Sequence, residues 1–239
     1  MMNWADNLLI QPSPAESAPP AAWLRESLFW HAILARTGDN IVGELLKGND
    51  AFYEWDHYPE NDVYDEQTHA QYYYHAHPVE DRVEGEHGHF HTFVRDSGTI
   101  EGFKPVAHAE GADEDLCHLV GISMDEFGYP FRLFTSNLWV TGGRWYGADK
   151  VKRLLHRFEI AHARPSWPVN RWISALLRAF RPQIHSLLEE RDHIAADWRA
   201  ARPGENIWED RDLNVVSEIR IDLQTPLGEA LRNQRQGIS

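Results

Sequence analysis

Five histidines alternate with other residues in two short stretches, Tyr74-His75-Ala76-His77 and Glu86-His87-Gly88-His89-Phe90-His91, and this spacing constrains the fold more than any other feature of the chain. Side chains two apart on a β-strand point to the same side, so His75 and His77 share a face, and so do His87, His89 and His91. If the two stretches pair as antiparallel neighbours, a register that sets His75 across from His89 or His91 makes the rings converge. Cross-strand partners on one face have Cβ atoms ~5 Å apart, close enough for two imidazoles to hold one ion at the ~2.0–2.1 Å nitrogen distance typical of zinc. A buried imidazole needs a partner for each ring nitrogen, and a shared cation supplies one to several rings at once.

Nine of the fourteen histidines fall between His57 and His118. The candidate ligands are His75, His77, His89 and His91, three of them rather than four if a coordination position stays open for water or substrate. Glu86 is a carboxylate candidate for ligation or proton transfer, and His87 is expected to support the ligands from behind. Tyr73, on the same face, offers a phenol to a substrate or to a ligand. The alternative is a solvated polar face in which the histidines pair with Glu84, Glu86, Asp62 and Asp65. Against it, such a face has no physical reason to prefer imidazole over lysine and glutamate.

The stretch around His57, Asp62 and Asp65 is acidic and enters the same region, so it offers ligands, acceptors for an imidazole N–H, or a general base in Asp65. Asx-turn chemistry explains the same residues without function. His118 completes a ligand set only if its strand neighbours the hairpin, and Cys117 then points to the opposite face. Asn137, Trp139 and Arg144 group near a strand end with Thr141 and Trp145. That mix of amide, indole and guanidinium suits a substrate pocket with a hold on an anionic group, although turn and packing roles account for it too. A glycine-rich phosphate loop, a nucleophile elbow and a cysteine pair are all missing from the sequence.

At 239 residues the chain suits one domain, from 21 to 239, preceded by a flexible arm at 1–20 in which Pro12, Pro14, Pro19 and Pro20 prevent a helix. The net charge of −14 argues against nucleic acid and against an anionic membrane surface, leaving a small-molecule substrate as the expected partner. A homo-oligomer is compatible with the composition. The single cysteine, the lack of Lys or Arg before Arg25, and the lack of an apolar run of membrane length point to a cytoplasmic address by default.

Helical spacing of Leu24, Leu28, Ala32 and Ala35 predicts a helix from Ala21 to about Arg36, and Ile41–Lys47 a short further turn. Strands are expected over Gln71–His77, His87–Arg95, Leu116–Met124 and Phe131–Val140, as an antiparallel meander. A helix follows at Ala148–Ile160. A longer helical run, Val169–Ala200, is kinked or divided at Pro182. Asn214–Leu223 alternates as a late strand. The fold expected is α+β, a mainly antiparallel sheet flanked by an N-terminal helix and a C-terminal helical layer.

The motifs His57-Tyr58-Pro59, Asp62-Val63-Tyr64-Asp65, Ala70–His77, Glu86–His91, Asn137–Gly142 and Pro165–Trp172 resemble an uncharacterised bacterial protein family over most of the chain from about residue 25. The resemblance implies a bacterial origin and says nothing of mechanism. From the residues themselves, the expectation is a mononuclear metalloenzyme, iron before zinc or copper, that oxidises a small molecule with oxygen. The alternatives are a zinc-dependent hydrolase with Glu86 or Asp65 as base, and a non-enzymatic metal- or haem-binding protein.

Overall fold

A run of residues buried on both sides, Ala70 to His75, already marks a strand in the middle of a sheet, and the computed structural model places it there. The structure describes residues 14–95, 103–109 and 115–223. Most of the proline-rich arm, 1–13, and the last part of the expected domain, 224–239, lie outside the described residues.

Helix α1 (Pro20–Ala35) starts on a proline and is followed by α2 (Ile41–Leu46), whose first turn is capped by Asn40 accepting from the Gly43 N–H. Then come β1 (Tyr58–Tyr64), β2 (Ala70–His75), β3 (Gly88–Arg95), the short β4 (Ala107–His108), β5 (Leu116–Met124) and β6 (Pro130–Ser136). The helical turn α3 (Leu138–Thr141), the two-residue β7 (Arg144–Trp145) and helices α4 (Ala148–Leu155), α5 (Trp167–Ala179) and α6 (Arg181–Ala201) lead to β8 (Val215–Arg220). The long helical run is thus divided, and Pro182 sits in the first turn of α6, where its missing N–H costs nothing.

The six-stranded sheet has the order β1-β2-β3-β5-β6-β8 with every neighbouring pair antiparallel, and β4 pairs with β7 apart from it. The fold is α+β, as the strand and helix patterns indicate. The even face of the hairpin, Tyr72, Tyr74 and Phe90, belongs to the main core with α1, α4, α5 and α6. The contacts are specific: the Tyr72 hydroxyl donates to Asn170 Oδ1 at 2.6 Å, and Phe90 meets Trp172 at 5.4 Å between ring centroids. The odd face carries the histidines and a small separate cluster of Tyr73, Phe93 and Leu116.

Four departures from the expected pattern matter. His75 stands opposite His89 and Tyr73 opposite His91, but β3 begins at Gly88, and His87 turns to the even side, where its Nδ1 lies 2.7 Å from the Tyr74 hydroxyl. His87 therefore does not support the ligands as expected, because the two-residue period holds only within the ladder. In β5 the register passes from Thr92↔Val120 to Phe93↔His118, leaving Leu119 as the extra residue of a bulge. That bulge turns His118 onto the histidine face. In β1 the five-residue step from Tyr58 to Val63 runs against only Tyr74 to Tyr72 of β2, and Asp62, at φ 54°, faces the same side. Finally, the run expected to stay extended to Val140 stops at Ser136, where the Asn137 side chain accepts from the Leu138 N–H and opens α3.

Candidate metal centre

His75 on β2 and His89 and His91 on β3 each offer a ring nitrogen, and the three nitrogens lie within 4.8 Å of one another on buried side chains. His75 is 7%, His89 4% and His91 1% exposed. Burial, with the neighbouring His89, His77 and His57, brings the His75 imidazole down to about 2, and burial, with His89, His118, His75 and His77, holds His91 well below its ordinary value. Both rings are neutral at physiological pH and present lone pairs.

The outer nitrogens are fixed. His89 Nδ1 donates to Glu86 Oε1 at 2.8 Å, and its Nε2 lies 2.7 Å from His75 Nε2. Two ring nitrogens that close are stable only if one carries a proton or a cation meets both lone pairs. His91 Nδ1 pairs with His118 Nε2 at 3.1 Å, which leaves Nε2 of His91 for the centre. The His118 ring is itself brought down to about 3 by burial, then by the Arg191 and His89 charges.

Glu86 is held as a carboxylate. Burial pushes it up, but hydrogen bonds from His89 and Ser123 and the Arg132 charge outweigh burial and bring it to about 2. Arg132 Nη2 lies 3.2 Å from Glu86 Oε2, its Nη1 reaches Glu218 at 2.6 Å and its Nε donates to the Ser123 hydroxyl at 2.9 Å. The carboxylate–imidazole pair is the arrangement that orients metal-bound histidines and raises their basicity. Phe134 on β6 covers the other side, edge-on to His89 at 5.3 Å and to His91 at 5.7 Å. It fits because its cross-strand partner is Gly121, where a Cβ would come within 2.2 Å of the Phe134 ring.

The open rim belongs to the residues before β1. His57 stacks on Tyr73 at 3.6 Å and pairs its Nδ1 with Asp62 Oδ1 at 2.9 Å, while Asp62 Oδ2 accepts from Gln71 Nε2 at 2.7 Å. Tyr73 lies 5.3 Å from both His75 and His91, and burial, then the Asp62 charge, pushes its phenol well above its ordinary value. It is a neutral hydrogen-bond donor. His77, just past the end of β2, stays at the rim: its ring is 5.0 Å from His89 and stacks on Trp55 at 4.4 Å, a residue at φ 70°. Beside it lies a cleft of about 670 Å³ walled by Asp50, Tyr53, Trp55, Asp56, His57 and Glu60.

Other candidates sit elsewhere. Asp65 accepts from the backbone N–H groups of Gln67 and Thr68 on one oxygen and of Ala161 on the other. Burial pushes its carboxyl up, but those three donors hold it below the ordinary range, and both oxygens serve the β1–β2 turn rather than proton transfer. Asn137 donates to the Ile207 carbonyl, and the Trp139 indole to the Leu213 carbonyl under the Arg211 guanidinium. These two tie α3 to the segment before β8. Arg144 stands on β7 opposite His108. The condition set for His118 is met, since β5 pairs with β3, but it contacts His91 rather than joining the three converging rings; Phe134 was not legible as a site residue, because nothing local marks it. Arg132 carries no signal in the sequence at all.

Residues 21–221 match the profile of a domain of unknown function, DUF6969. The chain belongs to this family. The match spans all six strands of the main sheet and every residue of the centre, so the histidine face lies inside the DUF6969 domain. No curated protein and no solved structure matches the chain.

Proposed function

We propose that the protein is a mononuclear metal-dependent enzyme, a non-haem iron oxidoreductase that acts on a small molecule, with His75, His89 and His91 as the ligands. The single observation that carries this reading is the convergence of three buried imidazoles, His75 and His91 held neutral by burial, whose nitrogens share one small space. Three imidazole nitrogens suit iron, zinc or copper, and a bound iron would supply redox chemistry with oxygen at a position the three rings leave open.

The chain's own residues would then do the rest. Glu86 and His118 hold the ligand rings in the tautomer that donates a lone pair inward. Tyr73 is a phenol that stays protonated and can give a hydrogen bond to a substrate oxygen or nitrogen. Phe134 on one side excludes water. The cleft beside Trp55 and His57 brings Asp50, Asp56 and Glu60 to its walls, which favours an uncharged or cationic substrate over an anion. A cytoplasmic site of action belongs to this reading, in which the lone buried Cys117 makes no demand for an oxidising compartment. Among the described residues no helix is long and apolar enough to cross a membrane.

One observation favours zinc-dependent hydrolysis as a second reading: the His57–Asp62 pair stands at the rim as a base for an activated water. Glu86 does not fill that role, since both its oxygens are committed to His89 and Arg132.

Metal analysis of protein purified without an affinity tag tests the proposal. Wild type should carry close to one equivalent of iron, and anaerobic protein should change its absorption on exposure to air. A zinc-only preparation inert to air supports the hydrolase. Full metal stoichiometry in both His75→Ala and His89→Ala rules out the ligand set and the enzyme with it.

A further inference from the structure

We propose that the corner where α1, α5 and α6 meet binds a small oxyanion, a phosphoryl or carboxylate group gripped by Arg178 with Arg181 beside it. The site lies on the helix side of the sheet, against the core, and is independent of the histidine face.

The argument starts from unmet hydrogen bonds. Among the described residues, buried side-chain polar atoms without a partner concentrate on one segment: Arg178 Nε and Nη1, Arg181 Nε and Nη2, Gln183 Oε1 and His185 Nε2. Native proteins rarely leave buried N–H groups unpaired, and an ionised group so treated is costlier still. Arg178 is only 7% exposed. Its Nη2 donates to Glu159 Oε2 at 3.0 Å and its guanidinium lies 4.7 Å over the Trp23 ring, which leaves two of its three nitrogens unserved. Glu159 is shared, because its other oxygen accepts from Arg171 Nη1.

Charge points the same way. Arg181 is the first residue of α6, a 21-residue helix, and a cation at a helix N-terminus faces the positive end of the macrodipole. It stands one turn beyond Arg178, and His185 and His156 follow with rings 5.8 Å apart. A net-negative protein that gathers cations at the wrong end of a helix, with donors unmet, holds a place for negative charge. Arg178 borders a cavity of about 390 Å³ whose wall sets Arg157, Arg171 and His156 against the carboxylates Glu16 and Glu159, with Trp23 and Thr68 beside them, room for an oxyanion and a small body attached to it. Guanidinium N–H groups only donate, and an oxyanion presents several acceptors in the geometry their fork demands.

Thermal unfolding of the full-length protein in inorganic phosphate, in acetate and in sodium chloride at matched ionic strength tests the site. At ten times the dissociation constant, phosphate should raise the Tm by about 3–6 °C over chloride. Titration calorimetry should show binding weakened at least tenfold in Arg178→Met. Because that variant also strips a partner from Glu159, Arg181→Gln serves beside it: half-buried, it should fold and still lose most of the phosphate shift. A shift with phosphate alone identifies a phosphoryl ligand, and one with acetate as well admits carboxylates. A phosphate shift no larger than that of chloride, or one kept in full by Arg181→Gln, overturns the proposal.

Discussion

Glu86 shows how much of the centre rests on one side chain that is outside the three converging rings and holds one of them from behind. It is buried, ionised, and shared between His89 Nδ1 and the Arg132 guanidinium, so it fixes the His89 tautomer and balances a buried cation at the same time. In Glu86→Gln the shape survives but the charge does not, and an amide N–H now competes with Arg132 for the same space. Loss of such a partner lowers metal affinity by about 10–100-fold, and competition against a chromogenic chelator should show that drop while the far-ultraviolet circular dichroism stays unchanged. An unaltered affinity would mean that His89 is oriented by packing alone. His118→Phe tests the matching contact on His91. It removes the acceptor of the Nδ1–H but fills the volume, so metal binding should weaken while the fold persists, and Phe93 and His91 should keep their places around it.

At the scale of elements, the site is a product of register. Gly121 stands opposite both His91 and Phe134, and its missing side chain is what lets the Phe134 ring lie down beside the histidines. Gly121→Ala should therefore overpack the odd face by about 1–3 kcal/mol, read as a lower urea midpoint, and should loosen metal binding by pushing Phe134 off His89. If stability falls and metal affinity does not, Phe134 is a cover and nothing more. The same strands mark what the sequence discloses. The alternation of the histidines and the apolar even face of Tyr72, Tyr74 and Phe90 are periodic signals, and they give the hairpin, a choice of two registers of which the structure takes His75 opposite His89, and a set of four histidines that contains the three converging rings. Pro182 gives the division between α5 and α6 for the same local reason. Nothing periodic announces the Leu119 bulge that turns His118 inward, the departure of His87 at the strand end, or the looped course of β1 that presents Asp62. Those depend on pairing between distant segments, as does the meeting of Arg132 with Glu86, forty-six positions apart. Asn137 and Trp139 looked like pocket residues because polar and aromatic groups at a strand end serve a ligand or a neighbouring segment equally well, and here they serve the segment before β8.

Across the whole molecule, the folded state keeps several imidazoles uncharged, and this sets how its stability responds to acid. His31 on α1 accepts from the Trp172 indole at 2.9 Å and stacks on Tyr129, and burial brings it down to about 3, far from the sheet's histidine face. His75 and His118 are depressed to about 2 and about 3 in the same manner. The unfolded chain protonates these rings near 6.5 and the folded chain does not. Below 6.5 the unfolded state therefore binds more protons, and stability must fall as pH falls through the window from 6.5 down to 3, having been fully present above it. Each such ring contributes a slope of up to about 1.4 kcal/mol per pH unit. Glu86 acts in the same direction at lower pH: its folded value near 2 lies below the unfolded one, so its contribution is present above 4.5 and is lost as pH falls toward 2. The two sources of the histidine slope can be separated, because a cation at the centre holds its ligands deprotonated and His31 has no part in it. Urea unfolding at pH 8, 7, 6 and 5 should give a steep slope for metal-free wild type and a shallower one with metal in excess. In His31→Gln, which keeps an acceptor for Trp172, the metal-free slope should shrink by one ring's share and the effect of metal should be unchanged. A slope that His31→Gln leaves intact would mean that α1 opens before acid unfolds the sheet, and the seam between α1 and α5 would then be the first part of the molecule to yield.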